Sequence, residues 1–416
     1  LAISATTVWR VRPSGSNVNG GGFDPNVSGV LSTTLNGSIN NSTTTVVVTS
    51  ATGWPGSGNY YARIGSGIGV TGDNEIVLVT GGQGTTSWTV TRGQLGTTGT
   101  AFNSGTVVDN ELSRCNTAMS SGSVGTSTNS TTFTEATGAF NSTHVGNILW
   151  IASGAGATVG PYIIQSVTNA TTLVLDRVSG TYTLGVWRIG GAWADPKTNF
   201  TTALNYLVPG NKIYVLGSGI PNISSYTYDY SGLSGSITMV SGDTTNGRIR
   251  LIGDPNTPNF LTGGRPVIQC SRLYGIAGNV SMENLWFVAP AATGSYITDV
   301  VFFNDVTFDQ FGYDISLSQY SSGLIGCRIF SSVAKRSTNT NYGVVLGANA
   351  NAIYGGVANN CNFSGCIGPG VSLPGSMGQL INCLISKNGG NGVTVTEANT
   401  NRNWSIIGCT IDGNSG

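Results

Sequence analysis

The sequence predicts an all-β chain whose C-terminal half winds as a β-solenoid behind small β modules. The first observation is a repeat. Six segments share one pattern: Glu283–Phe287 (ENLWF), Asn304–Phe308 (NDVTF), Ile325–Ile329 (IGCRI), Asn359–Phe363 (NNCNF), Ile381–Ile385 (INCLI) and Ile407–Ile411 (IGCTI). Aligned on Leu285, Val306, Cys327, Cys361, Cys383 and Cys409, they step by 21, 21, 34, 22 and 26 residues. Each has an apolar residue at the aligned position and another two residues on, with a polar residue or glycine usually just before. One short alternating strand per repeat at this period is the signature of a solenoid. The second observation is composition: 62 glycines in 416 residues, and only 9% charged residues. The third is the wealth of β-branched and aromatic residues in alternating runs, which separates this chain from a disordered one.

The chain divides by pattern into residues 1–30, 31–110, 111–190 and 191–416. The first part holds a strand, Val8–Arg12, and a glycine-rich turn, Ser14–Gly22. Residues 31–110 read as a small β module with strands at Thr44–Thr49, Tyr60–Ile64, Glu75–Thr80, Ser87–Thr91 and Thr106–Val108, separated by turn signals. Residues 111–190 read as a second β-rich module. Its strands fall at Ile148–Ala152, Tyr162–Val167, Thr172–Leu175 and Gly185–Ile189, with a hairpin over Val167–Leu173. One helix is expected at about 196–208. Asp195 caps it, Pro196 opens it, and Phe200, Ala203, Leu204 and Leu207 share one face. It would cover the first coil of the solenoid. The strand Lys212–Leu216 follows, and short strands alternate with polar turns from Arg248 to the end. The long step from Cys327 to Cys361 requires an excursion between Ser331 and Val357. Because the sequence stops at Gly416 within a repeat-like motif, we expect a further stretch of chain or another subunit to cover that end.

Charge excludes some functions. With 18 basic and 18 acidic residues and no basic stripe, nucleic-acid binding has no electrostatic support. No apolar run is long enough for a transmembrane helix. The start lacks the basic region of a signal peptide. Seven cysteines occur without a Cys-x-x-Cys pair, and His144 is the only histidine, so no metal and no cofactor is expected. Cys327, Cys361, Cys383 and Cys409 would stack about 4.8 Å apart, a spacing that suits reduced core thiols better than disulfides. Reduced thiols imply assembly in a reducing compartment.

Two groups of residues resemble known families. Phe200–Leu204 followed by Pro209–Leu216 (PGNKIYVL) resembles the entry to right-handed parallel β-helices of the pectate-lyase type, with Asn211 where that family has an acidic residue. Gly253–Asn256 fits the same pattern. Val46–Pro55, Asp73–Val79, Trp88–Thr98, Val145–Ile151 with Leu175–Arg177, and Val8–Arg12 with Asn19–Phe23 resemble β modules of bacteriophage tail and appendage proteins. The resemblance implies a right-handed parallel β-helix in a structural virion protein: a fibre, spike or surface decoration. It further implies a homotrimer, other virion proteins as partners, and contact with host-surface polysaccharide. Two other readings stand beside it: a tailspike enzyme that cleaves polysaccharide, and a secreted bacterial adhesin.

Candidate site residues follow from chemistry. A glycosidase needs two carboxylates about 5–9.5 Å apart. The densest acidic set is Asp299, Asp305, Asp309 and Asp314, with Asp305 read as pointing outward from a strand. The same residues serve equally as turn caps or solvated aspartates. Tyr226, Tyr228 and Tyr230 alternate, so their rings could share a face that stacks on sugars, or pack at an edge. Lys335 and Arg336 could contact an acidic sugar. Calcium-dependent lyase chemistry lacks local ligands, because no Asp or Glu lies between Asp314 and Glu397. Asp73 and Glu75 read as turn-fixing, Arg92 as the anchor of the turn before Gly93, and His144 as a surface or loop residue. Asn-x-Ser/Thr triplets such as Asn141–Thr143 read as chance.

Overall fold

The computed structural model describes residues 3–27, 31–65, 75–194, 206–217, 228–229, 237–239, 245–255, 257, 265–269, 273–275, 280–288, 297–298, 302–309, 315–316, 328–330, 333–335, 344–345, 357–374, 377–396 and 403–416. These are all-β, with two single 3-10 turns at Leu112–Arg114 and Ser142–His144. The expected helix lies almost wholly outside the described residues. The chain forms two compact units. One comprises residues 1–199 and 211–216, the other 200–210 and 217–416. The strand expected to open the solenoid therefore belongs to the first unit.

In that unit, β1 (Val8–Val11) pairs antiparallel with β2 (Gly22–Phe23) and parallel with the later strand Lys212–Val215. Residues 1–30 fall within this first unit. Trp9 is fully buried, stacks on Trp193 at 4.6 Å, and donates to Asn211 Oδ1 at 3.1 Å. Asn211 Nδ2 donates in turn to the Ser4 carbonyl at 2.8 Å. An ionised carboxylate could accept from Trp9 but could not donate to Ser4, so the amide serves both partners.

Six further strands follow: β3 (Ser32–Thr34), β4 (Thr45–Val47), β5 (Tyr60–Ile64), β6 (Glu75–Gly81), β7 (Ser87–Gln94) and β8 (Val107–Asp109). They make one sheet in the order β3-β8-β5-β6-β7-β4, and a bridge between Leu35 and Val48 joins its two edges. Alternating residues such as Val46, Ala62, Val77, Val79 and Trp88 fill the interior. Arg92 and the fully buried Glu75 form an ion pair inside this module, with Arg92 Nε to Glu75 Oε1 at 2.7 Å and Nη2 to Oε2 at 2.5 Å. The remaining guanidinium protons go to the carbonyls of Asn40, Thr43 and Thr100. Glu75 also accepts from the amides of Gly93 and Thr100. Arg92 does anchor the turn at Gly93, and its five donors are all used. Asp73 lies outside the described residues.

The next six strands close into a barrel: β9 (Ser120–Thr128), β10 (Thr132–Thr134), β11 (Ile148–Ser153), β12 (Gly160–Asn169), β13 (Thr172–Leu175) and β14 (Thr181–Ile189). The β12–β13 hairpin pairs Val167 with Leu173. The sequence pattern assigned no strand to β9. Its glycines are there because rings lie against the strand. A Cβ on Gly125 would come within 2.6 Å of the Phe133 ring, and one on Gly122 within 2.7 Å of Trp187 Nε1 and Glu135 Oε2. Glycine inside a strand marks such a close approach.

Among the described residues of the second unit, the strands pair parallel and in register. One ladder runs through Ile249–Gly253, Val280–Glu283, Phe302–Asn304, Arg328–Phe330, Val357–Asn359, Met377–Ile381 and Asn403–Ile407. A second runs through Tyr228–Asp229, Val267–Gln269, Trp286–Val288, Thr307–Asp309, Val333–Lys335, Asn362–Ser364, Leu384–Ser386 and Thr410–Asp412. Shorter ladders of three and four strands accompany them. Like lies over like: Leu251, Met282 and Phe303 are buried register partners, as are Ala358 and Leu380 further along the same ladder.

The repeated five-residue motif is a corner between two strands, not one strand. Asn284, Asp305, Asn360, Asn382 and Gly408 have φ of 56°, 55°, 56°, 51° and 62°. That left-handed conformation suits Gly, Asn and Asp and penalises other residues by about 1–2 kcal/mol. At these five positions the residue before the aligned one is therefore polar or glycine for a backbone reason. Asp305 sits on such a corner rather than within a strand. Replacing Asn382 by Ala is expected to lower stability by about 1 kcal/mol, whereas Gly should stay within about 0.5 kcal/mol of wild type. Chemical denaturation of the three proteins checks this; equal loss for both variants contradicts the corner.

Candidate functional site

The strand faces of the second unit separate by chemistry. Phe287 and Phe308 are buried and stack at 6.2 Å, so they point into the core. Alternation places Trp286, Thr307 and Asp309 on the opposite face. Trp286 and Thr307 are register partners on neighbouring strands. Arg265 Nη1 donates to Thr307 Oγ1 at 3.0 Å, and its Nη2 bonds Asp305. Asp305 is 39% exposed and Arg265 19% exposed at the side chain, while Trp286 is half-buried. A half-buried aromatic ring, a guanidinium and a part-exposed carboxylate thus lie along these paired strands, and the guanidinium also holds the buried Thr307 hydroxyl.

A second polar group lies on the outer face of the first ladder. Arg250 grips Glu283 with two bonds, Nε to Oε1 at 2.8 Å and Nη2 to Oε2 at 2.6 Å. Ser281 Oγ adds a third bond to Oε1 at 3.2 Å. Arg248 lies over the Phe302 ring at 5.1 Å. Fork-shaped pairs of this kind hold their geometry and leave further lone pairs for hydroxyl groups.

The residues singled out in the sequence fare differently. Asp305 belongs to the cluster. Asp309 is fully buried, so it does not complete an accessible pair of carboxylates with Asp305. Asp299, Asp314, Tyr226, Tyr230 and Arg336 lie outside the described residues. Tyr228 is in register with Ile268, whose column continues into the buried Phe287 and Phe308. Lys335 is the register partner of Asp309. Sequence reasoning missed Trp286, Arg265 and the Arg250–Glu283 pair. A signal for Trp286 was present: it occupies a motif position held elsewhere by Thr307, Arg328, Asn362, Leu384 and Thr410. Among the described residues no group of His, Cys, Asp and Glu could hold a metal.

The cysteine column continues the corner positions Leu285 and Val306, which are fully buried. Cys361 and Cys383 are buried and Cys409 partly so; all three are free thiols, and Cys327 is outside the described residues. Leu384 N donates to the Cys361 carbonyl and Thr410 N to that of Cys383, each at 2.9 Å, so successive corners are stitched together. Hydrogen bonding with Cys361, opposed by burial, brings the Cys383 thiol down to about 7. Next to this column, Asn388 is buried and bonds Cys366 N, the Phe363 carbonyl and Asn414, whose amide reaches the Ile385 carbonyl.

No family model and no curated protein matches the chain. Among solved structures, the pectate lyase Pel9A matches at 14% identity and a TM-score of 0.29, over 46% of this chain and 48% of that one. Two forms of the catalytic domain of a GH87 alpha-1,3-glucanase in complex with nigerose match at 11% and 10% identity, each with a TM-score of 0.14, over 97% of this chain and 95% of theirs. At these scores the likenesses carry no argument about this chain; the described strand pairings stand on their own.

Burial makes a kinetic prediction. Despite its lowered thiol, Cys383 should be alkylated by iodoacetamide only as fast as the second unit opens, and Cys361 with it. Mass spectrometry of labelled peptides checks this; labelling at the rate of a small free thiol in native buffer contradicts the column.

Proposed function

We propose that the second unit is a right-handed parallel β-helix in a structural, adhesive subunit of a bacteriophage particle. The observation that carries this reading is the parallel, in-register ladder whose outer face presents Trp286, Arg265 and Asp305. Parallel ladders of this length make a stiff support through continuous hydrogen bonding. A rigid outer face with a ring and fixed polar groups suits a neutral or weakly charged surface glycan. The ring stacks on the apolar face of a sugar, and the Arg265–Asp305 pair exchanges hydrogen bonds with hydroxyls. Binding is the whole mechanism in this reading, with no bond made or broken. The free thiols fit assembly in the host cytoplasm before release. The resemblance of the front modules to phage appendage proteins supports a place on the virion, a homotrimer, and contacts with other virion proteins.

The test has two arms. Mass spectrometry of purified particles should find the chain at fixed copy number; its absence rejects the virion reading. Retention on a panel of immobilised bacterial surface polysaccharides should identify at least one binder. Trp286→Ala should weaken that binding roughly tenfold, equivalent to about 1.4 kcal/mol, with an unchanged circular-dichroism spectrum. Unchanged affinity in the variant removes this face from the proposal. Release of reducing ends from the same polysaccharides would instead favour an enzyme.

A further inference from the structure

The chain's single histidine sits at the joint between the two β modules of the first unit, the sheet β3–β8 and the barrel β9–β14, and we propose that it makes this joint acid-sensitive. The sequence pattern placed His144 at the surface; the structure buries it, with 2% exposed. It closes a capping box around the 3-10 turn Ser142–His144. Asn141 Oδ1 accepts from Thr143 N at 3.0 Å, and the Asn141 amide donates to His144 Nδ1 at 3.1 Å. The Asn141 carbonyl also lies 3.1 Å from Nδ1. The other ring nitrogen, Nε2, is buried without a hydrogen-bond partner among the described residues. The Phe140 ring meets the imidazole edge-on at 5.8 Å.

This turn carries the bonds that tie one module to the other. Asn110, just after β8 of the first module, donates to the Thr143 and Val145 carbonyls at 3.2 and 3.0 Å. Its Oδ1 accepts from Leu31 N at 3.3 Å. Asn147, at the mouth of the barrel, donates to the Asn110 carbonyl at 2.9 Å and the Thr143 carbonyl at 3.1 Å, and accepts from Leu112 N at 3.0 Å. Ser142 Oγ donates to the Gly53 carbonyl at 3.1 Å. Both asparagines are fully buried, so each bond lost leaves a polar group unsatisfied.

A second ring proton would put a cation in this site. The strands packed on the turn are β5 and β12. Their titratable groups are Tyr60, Tyr61 and Arg63 on β5 and Tyr162 on β12. Arg63 is committed to Asp109. None of these helps the imidazolium. Burial pushes the histidine down to about 4, and only the Asn141 backbone contact opposes it. The sign follows from linkage. The folded value lies below the ordinary 6.5, so the closed joint is undisturbed above pH 6.5 and weakens as pH falls from there to about 4. Glu111 does not interfere over this window. Burial pushes its carboxyl up, but Arg10, Arg114 and Arg63 outweigh that and hold it at about 2.

Hydrogen exchange on the full chain, corrected for intrinsic rates, tests the proposal. The amides of Leu31, Leu112 and Thr143 should lose protection roughly thirtyfold between pH 7 and pH 5, from a tenfold loss per unit below about 6.5. His144→Asn keeps an acceptor for the Asn141 amide and removes the titration, so its protection should be flat over that range. Flat protection in wild type, or an equal loss in the variant, overturns the proposal. So does parallel loss at core amides such as Val79 and Ile151, because the histidine would then govern the whole unit. If the variant does not fold, the lone imidazole NMR signal of wild type decides. An apparent value near 4 is expected, and an ordinary value near 6.5 overturns it.

Discussion

Each repeat of the second unit lies in register on the one before because the chain turns at the same point with the same backbone conformation. The turn is a left-handed residue, and the amide at that corner bonds the next repeat. Asn284 N reaches the Asn304 carbonyl, Asn360 N that of Ile381, and Asn382 N that of Ile407, at 3.0, 2.9 and 2.8 Å. A residue that refuses this conformation would shift the following strand. A shift of one residue would turn every core side chain toward solvent. The columns of Met282, Phe303 and Ala358, and of Phe287, Phe308 and Phe363, therefore depend on a handful of φ angles. The outer face inherits the same order, which is how Arg265 reaches both Asp305 and Thr307.

The first unit meets a different constraint. Its two modules are small, and both carry charged residues inside, Glu75 in the first and Glu135 in the second. Burying Glu75 is tolerable because Arg92 and two amides saturate its oxygens, and Arg92 in turn spends every proton on the loops around it. Arg10 bonds Glu111 at 3.0 Å and ties the first strand to the link between the modules. A half-satisfied network would be worse than an apolar core. This explains how a chain with so few charges can place several in its interior.

Much of the architecture was legible in the sequence. Tyr60–Ile64 is a strand with the bounds that alternation gave it, and the Val167–Leu173 hairpin forms. The repeats were visible because core positions recur. Their internal geometry was not, because a two-strand corner and one alternating strand share the same apolar spacing; only the Asn, Asp or Gly just before each aligned position carried the distinction. β9 was hidden because its glycines answer to rings of Phe133 and Trp187 that are distant in sequence. His144 was misjudged for the same kind of reason: its turn is packed by β5 and β12, which are separate from it in the chain. The outer cluster was half visible. Asp305 stood out as an acidic residue, whereas Arg265 lies 40 positions away and meets it only through the pairing of repeats.

The central claim is that successive repeats stack like over like along one interior line. Anomalous diffraction at the sulfur edge locates thiols directly. The account predicts the Sγ atoms of Cys361, Cys383 and Cys409 in a row with steps of about 4.8 Å, the spacing between paired strands. Sulfurs separated by twice that distance, or lying on different sides of the unit, would contradict it.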